Sequence, residues 1–317
     1  MKRKIALVIT LGVLVIVTII LLSVIKKEDT FDITLFKNSY SIITSDSNDS
    51  YLEVLFYVSD KNVSFVRNDK ILSSSISDKN KDNLIEVKIV DVVDRKYTQV
   101  IKNRKFHLYS FIFTPITEVN DDYVFELDKA YLNINNSDME YMFHIGSFYM
   151  TKVPFYGSQD DISLSNLKPL VGFLDRNKTL VGVGIELNNY TNKKITIKSF
   201  DFLRSGIKAS NKDIVISPNN YYASQDIEDI LGYQYNVFES EFIDSAFEEE
   251  IESKTKKEFL IPLKYHNEYS VNSLGIVITY EINNSIHKMY VDEFTFFKDN
   301  SIVTKYDEVI LYSYDKC

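Results

Sequence analysis

The chain has 317 residues, 36 of them basic and 45 acidic, for a net charge of −9, and its 45% apolar content excludes a disordered polymer. All 45 acidic residues but only 31 of the 36 basic ones lie beyond residue 27, so that portion carries −14. A charge of that sign repels phosphate backbones and anionic lipid headgroups and argues against a nucleic-acid or other polyanionic partner.

The first element is apolar. After Met1-Lys2-Arg3-Lys4, the 21 residues Ile5 to Ile25 contain no charge, and Lys26-Lys27 closes the run. As a helix this stretch measures about 31 Å, the thickness of a hydrocarbon core. A cleaved secretory signal has an apolar region of about 7–15 residues followed by a small-x-small site. Here the run is longer, and Leu22-Ser23-Val24-Ile25 offers large side chains instead. Residues 1–27 therefore read as a cytoplasmic stub and an uncleaved transmembrane signal anchor. The bias of positive charge at Met1–Lys4 places the N-terminus inside and the remainder outside the cell.

From residue 28 onward, period-2 alternation of strand-forming residues predominates, which predicts a mainly β chain. Ile85-Glu86-Val87-Lys88-Ile89 separates apolar from charged residues by face, while Tyr51–Val58 and Phe106–Phe113 are apolar on both faces. Asp46-Ser47-Asn48-Asp49-Ser50 begins like a calcium loop but has Tyr51 where glycine is needed and Tyr57 where glutamate is needed, so a turn is expected. Pro154, Gly157 and Pro169 mark a boundary. The expectation is two antiparallel β-sandwich domains of immunoglobulin-like type, 28–153 and 154–317.

In the second domain Val181–Leu187, Phe259–Tyr265, Leu274–Ile282 and Ile286–Phe297 carry the strand pattern, with turns at Asn188–Lys194 and Asn283-Asn284-Ser285. Residues 222–257 read as a short helical insertion. Ser224 is the expected cap of a helix ending at Gly232, and Ser240 that of a second helix through Phe242, Ile243, Ala246, Phe247 and Ile251. The acidic run in this insertion, Glu241, Asp244, Glu248, Glu249 and Glu250, is the candidate docking surface for a protein partner, set against the plainer reading of a solvated helix face.

Catalytic and metal chemistry find no motif. The four histidines, His107, His144, His266 and His287, lack zinc spacing, and the single cysteine, Cys317, cannot assist them. Ser165–Lys168 and Ser253–Lys256 match S-x-x-K without the companion motifs of penicillin-recognising enzymes. No cofactor, metal or catalytic residue is expected. With no Trp, a glycan platform would fall to Tyr221-Tyr222 or Tyr233-Gln234-Tyr235, and a glycan partner is not expected.

The scarcity of cysteine together with the Lys, Asn and Ile richness suits a low-GC Gram-positive bacterium. The functional expectation is a membrane-anchored, extracellular, non-enzymatic interaction module, an accessory subunit of an envelope complex or a surface ligand-binding protein. The alternatives are an extracytoplasmic enzyme acting on envelope polymers and an immunity or sensing protein that captures a peptide at a sheet edge.

Overall fold

The structure is a computed structural model that describes residues 30–45, 51–116, 123–153, 161–174, 177–218, 226–239, 246–296 and 309–316. The expected span at 5–25 lies outside the described residues, and among those described no helix is long and apolar enough to cross a membrane. The described chain is mainly β, with a single short α-helix.

The first unit contains β1 (Thr30–Leu35), β2 (Asn38–Thr44), β3 (Leu52–Val58), β4 (Ile71–Ser77), β5 (Leu84–Ile101), β6 (Arg104–Pro115), β7 (Val124–Asn136) and β8 (Glu140–Lys152). A last strand, β18 (Tyr312–Asp315), returns to it, so the sheet order is β18-β1-β3-β6-β5-β4-β7-β8-β2. β1 and β2 are separated by Phe36 and Lys37 alone, yet β1 is antiparallel to β3 near one end of that order and β2 is parallel to β8 at the other. Two residues span only about 7 Å. The sheet must therefore curl until its two ends meet, one half packing on the other as a sandwich.

The alternation seen in the sequence drives this closure. Ile85, Val87 and Ile89 point inward and are buried, while Glu86 and Lys88 face solvent. The inner faces meet in an aromatic cluster in which Phe56 lies 4.8 Å from Phe111 and 5.1 Å from Phe143 between ring centroids. Each such ring stabilises the fold by roughly 1.5–3 kcal/mol through burial alone. Tyr314 of β18 closes the cluster by packing edge-on against Tyr141 at 4.7 Å.

The second unit is built from two sheets. One has the order β12-β15-β10-β9, from Ile207–Ala209, Lys256–Tyr265, Asn177–Asn189 and Ile162–Leu174, with β13 (Val215–Ile216) also on β15. The other has the order β14-β11-β16-β17, from Glu249–Ile251, Ile195–Phe202, Ser273–Ile282 and Ser285–Thr295. Their inner faces share one apolar core that includes Val183, Ile185, Phe200, Phe259, Ile261, Ile276 and Ile278. The hairpin turn between β16 and β17 falls on Asn283 and Asn284, both with positive φ, as the asparagine-rich turn in the sequence implied.

Two features differ from the sequence expectation. The second unit was expected to run to residue 317, but the last of its described strands ends at Thr295, and Tyr312–Asp315 pairs with β1. Over its described residues, 226–239 and 246–257, the expected helical insertion is mostly not helical. A helix, α1, covers only Ile227–Leu231, capped by Asp226, whose Oδ1 accepts from the Glu228 amide, and stopped at Gly232 in the left-handed conformation (φ 75°). The expected cap Ser224 lies outside the described residues. Beyond it, Glu249–Ile251 forms β14 against Ile195–Ile197, and β15 starts at Lys256. The spacing from Phe247 to Ile251 is four residues, which shares a face in a strand as well as in a helix. Packing chose the strand, since Phe247 lies on Phe200 and Phe259 while Ile251 is fully buried.

The two units pack along β2. Arg204, only 5% exposed, donates from Nη1 to the Ser39 carbonyl at 2.7 Å and from Nε to the Ser273 carbonyl at 2.9 Å. Gly146 permits the close approach of β2: with φ at +119°, a Cβ there would sit 2.1 Å from the Asn38 carbonyl oxygen.

Candidate functional site

A concavity arises where β4 and β5 part. They pair through only four residue pairs, Ser74–Val87 to Ser77–Leu84. From there β5 continues against β6 alone, through Lys88–Thr114 and Ile89–Phe113, while β4 continues against β7 through Ser73–Asn135 and Ile71–Asn136. The Ser74 hydroxyl donates to the Val87 carbonyl at 2.7 Å and pins the closed end of the fork. Beyond that pin, no strand among the described residues is registered between Ile71–Ser73 and Lys88–Val90.

The resulting groove measures about 910 Å³. That is within the range of ligand sites, roughly 300–1,000 Å³. Its floor is Ile71, Val87 and Ile89, continuous with the core. Around it stand four apolar side chains that solvent reaches: Leu72 at 73% exposed, Ile116 at 56%, and Leu84 and Val90 at 44% each. Scattered exposed apolar residues are ordinary, but four around one groove with two facing strand edges form a patch of the kind that marks binding surfaces. Polar groups complete it: Glu86 and Lys88 on β5, and Asn135, whose side-chain amide donates to Ser73 Oγ at 3.1 Å. The fork was not foreseen from sequence, where Ile85–Ile89 read as an ordinary strand. The available signals were the apolar Val90 on the outer face and the run Ser73-Ser74-Ser75, whose small side chains leave space beside the ladder.

The acidic run is placed differently. Glu248 accepts from Lys198 at 2.7 Å, Glu249 pairs with Lys257 and Glu250 with Lys194, each across to a neighbouring strand. Hydrogen bonds to Glu250 and Glu248 raise the pKa values of Lys194 and Lys198 respectively. These glutamates, base-free in sequence, are thus each paired, Glu250 with Lys194 just before β11, Glu248 with Lys198 of β11, which Glu281 shares, and Glu249 with Lys257 of β15. Glu241 and Asp244 lie outside the described residues.

At the seam, His266 Nε2 lies 3.2 Å from Asp128 Oδ1, and Ser205 Oγ donates to the same oxygen at 3.4 Å. A nucleophilic triad needs the serine on the imidazole and the imidazole on the acid. Here both reach the carboxylate, so the histidine cannot take the serine proton in this arrangement. His144 stacks on Tyr131 with ring centroids 5.0 Å apart, and its Nε2 lies 3.3 Å from Tyr269 Oη. Burial, with Lys37 and Lys129 adding repulsion, pushes its pKa down to about 4. His287 stacks on Tyr280, and His107 lies in β6. Among the described residues no three His, Cys, Asp or Glu side chains gather as metal ligands would.

The two S-x-x-K matches also come apart. Ser165 donates to Glu186 at 2.6 Å and Lys168 to Glu258 at 3.0 Å, and Lys256 binds Glu186 at 2.9 Å. Tyr235 is buried, donating to the Leu263 carbonyl at 3.0 Å, so its ring offers no open platform for a sugar. Tyr221 and Tyr222 lie outside the described residues.

No family model matches the chain, and no curated protein matches it. Among solved structures, a protein of unknown function from Porphyromonas gingivalis W83 aligns over 82% of this chain and 97% of its own, at 8% identity and a TM-score of 0.21. The C-terminal domain of the Streptococcus pyogenes antigen I/II-family protein AspA aligns over 83% and 97%, at 7% identity and a TM-score of 0.21. The enterotoxigenic E. coli adhesin CfaE aligns over 83% and 85%, at 12% and 0.18. Likenesses this weak carry no information on function.

Proposed function

We propose that this chain is a membrane-anchored, extracellular, non-enzymatic interaction module that takes an extended segment of a partner protein into the fork between β4 and β5. The observation that carries this reading is the fork itself, two parted strand edges facing each other over an apolar floor. A guest strand there would gain main-chain hydrogen bonds from the edges and specificity from alternate side chains, as in strand addition. The anchor rests on the uncharged run at 5–25.

Both units are read as immunoglobulin-type sandwiches. In the second, the orders β12-β15-β10-β9 and β11-β16-β17 follow the D-E-B-A and C-F-G arrangement of that fold. In the first, β1-β3-β6-β5 and β4-β7-β8 follow A-B-E-D and C-F-G, with β5 bridging the two halves.

The test is a photoreactive side chain at position 72 in intact cells, with one at the exposed, distant position 286 as control. A discrete adduct from position 72 alone, abolished by Val90→Asp, is expected. Equal adducts from both positions, or hydrolysis of envelope polymers by the purified chain, would overturn the proposal.

A further inference from the structure

The end of the first unit where the chain enters has a composition unlike the rest of the molecule. Thr30 pairs with Asp315, and Arg104 forms an ion pair with Asp32, so the β5–β6 hairpin tip, Lys102-Asn103, lies level with the start of β1. Six basic residues gather at this end: Lys61 and Lys96 on Asp94, Lys316 on Asp60, Arg104 on Asp32, Lys102 on the Val309 carbonyl, and Lys105 next to Arg104. The described acids beside them are Asp32, Asp60, Asp94 and Asp315. Among the described residues the local balance is an excess of two positive charges, on a region whose net charge is −14. The stem Lys26-Lys27-Glu28-Asp29 sums to zero and leaves that excess unchanged.

Lys96 is set outward by the backbone, with its Nζ on Asp94 at 2.9 Å, whereas Lys102 lays its Nζ on the Val309 carbonyl at 3.0 Å. A break in the β5–β6 register between Asp94 and Thr98 extrudes Lys96, with φ at +55° and a side chain 81% exposed, together with Tyr97, 42% exposed. Lys102 occupies a left-handed position (φ 47°) in a turn where asparagine or glycine fits without strain. Val100, 57% exposed, stands beside it. Basic side chains interleaved with an exposed aromatic and an aliphatic residue are the composition of surfaces that settle at a lipid headgroup layer.

We propose that this hairpin end docks on anionic lipid headgroups beside the anchor and so fixes how the ectodomain stands on the membrane. The inference rests on the anchored reading given above. The five residues Lys26 to Thr30 span at most about 18 Å, which keeps the tip within reach of the bilayer. Screening decides against the global charge. The far end of β6, eleven residues on from Arg104, is about 37 Å away, several times the roughly 8–10 Å screening length. The local excess therefore governs the approach, each lysine near the headgroups contributing roughly fivefold to the docked population.

The chain contains no Trp, so a single reporter reads depth cleanly. The full chain carrying Val100→Trp is reconstituted into vesicles of brominated phosphatidylcholine, with or without an equal part of brominated phosphatidylglycerol. A second form carries Leu72→Trp, at the fork. Quenching at position 100 in the anionic vesicles, weak in the neutral ones and absent at position 72, is expected. Adding Lys102→Asn and Lys105→Gln, both at exposed positions, should abolish it. No quenching at position 100, or equal quenching in both lipids, overturns the docking proposal while leaving the anchor intact. A chain washed off the vesicles by alkaline carbonate contradicts the anchor itself, and the docking with it.

Discussion

The Ser74 hydroxyl donates to the Val87 carbonyl at 2.7 Å, at the last residue pair before β4 and β5 part. This bond sits where the ladder stops and the groove begins. Ser74→Ala should lower stability by about 1 kcal/mol, read as a shift of the urea midpoint. It should also weaken partner capture at position 72, because the fork would open further along the strands. A variant destabilised with unchanged capture would separate the bond from the site.

Arg204 joins the two units through the Ser39 and Ser273 carbonyls. Arg204→Met should cost about 3 kcal/mol, since it leaves buried acceptors without their donor. Loss of this tie should also resolve calorimetric unfolding into separate transitions for the two sandwiches. A single unshifted transition would show that the units cohere without it.

Gly146 and Gly232 both have positive φ, but their surroundings differ. A Cβ at Gly146 meets the Asn38 carbonyl oxygen at 2.1 Å, whereas one at Gly232 meets nothing within 4 Å. Gly232→Ala should therefore cost about 1–2 kcal/mol from backbone conformation alone. Gly146→Ala adds a backbone clash and should cost several times as much, judged by comparing the two melting temperatures.

His144 should make stability depend on pH. Its folded pKa, about 4, lies below the ordinary 6.5, mainly because burial disfavours the charged ring and secondarily through Lys37 and Lys129. Between these values the unfolded chain binds the extra proton, so stability rises with pH from about 4 to 6.5. Tyr131 stacks on the ring, and Tyr269 and Tyr312, which face the ring and its backbone, are pushed up by burial and stay neutral in that window. His144→Gln should flatten this part of the profile in denaturant titrations at stepped pH. An unchanged slope would place the proton elsewhere.

The strands were legible because their side chains obey a period of two regardless of partner. Phe259–Tyr265 and Leu274–Ile282 lie within β15 and β16. The helix expected from Ser240 fails over its described residues, 246–257, because the spacing of four from Phe247 to Ile251 satisfies both periods, and only Phe200 and Phe259 across the core decided between them. The return of β18 to β1 joins residues nearly the whole chain apart, and no local pattern encodes such a pairing. The fork was hidden for a related reason. β5 alternates cleanly through Ile89, and where β4 leaves it depends on the register of β7, a third strand.

Amide hydrogen exchange on the complex with the captured partner tests the central claim most directly. Strand addition in the fork predicts that the amides of Ile71–Ser73 and Lys88–Val90 that face the groove, between which no described strand is registered, become strongly protected, by roughly tenfold or more. Protection confined to another surface, such as the Glu248–Glu250 face of β14, would contradict it.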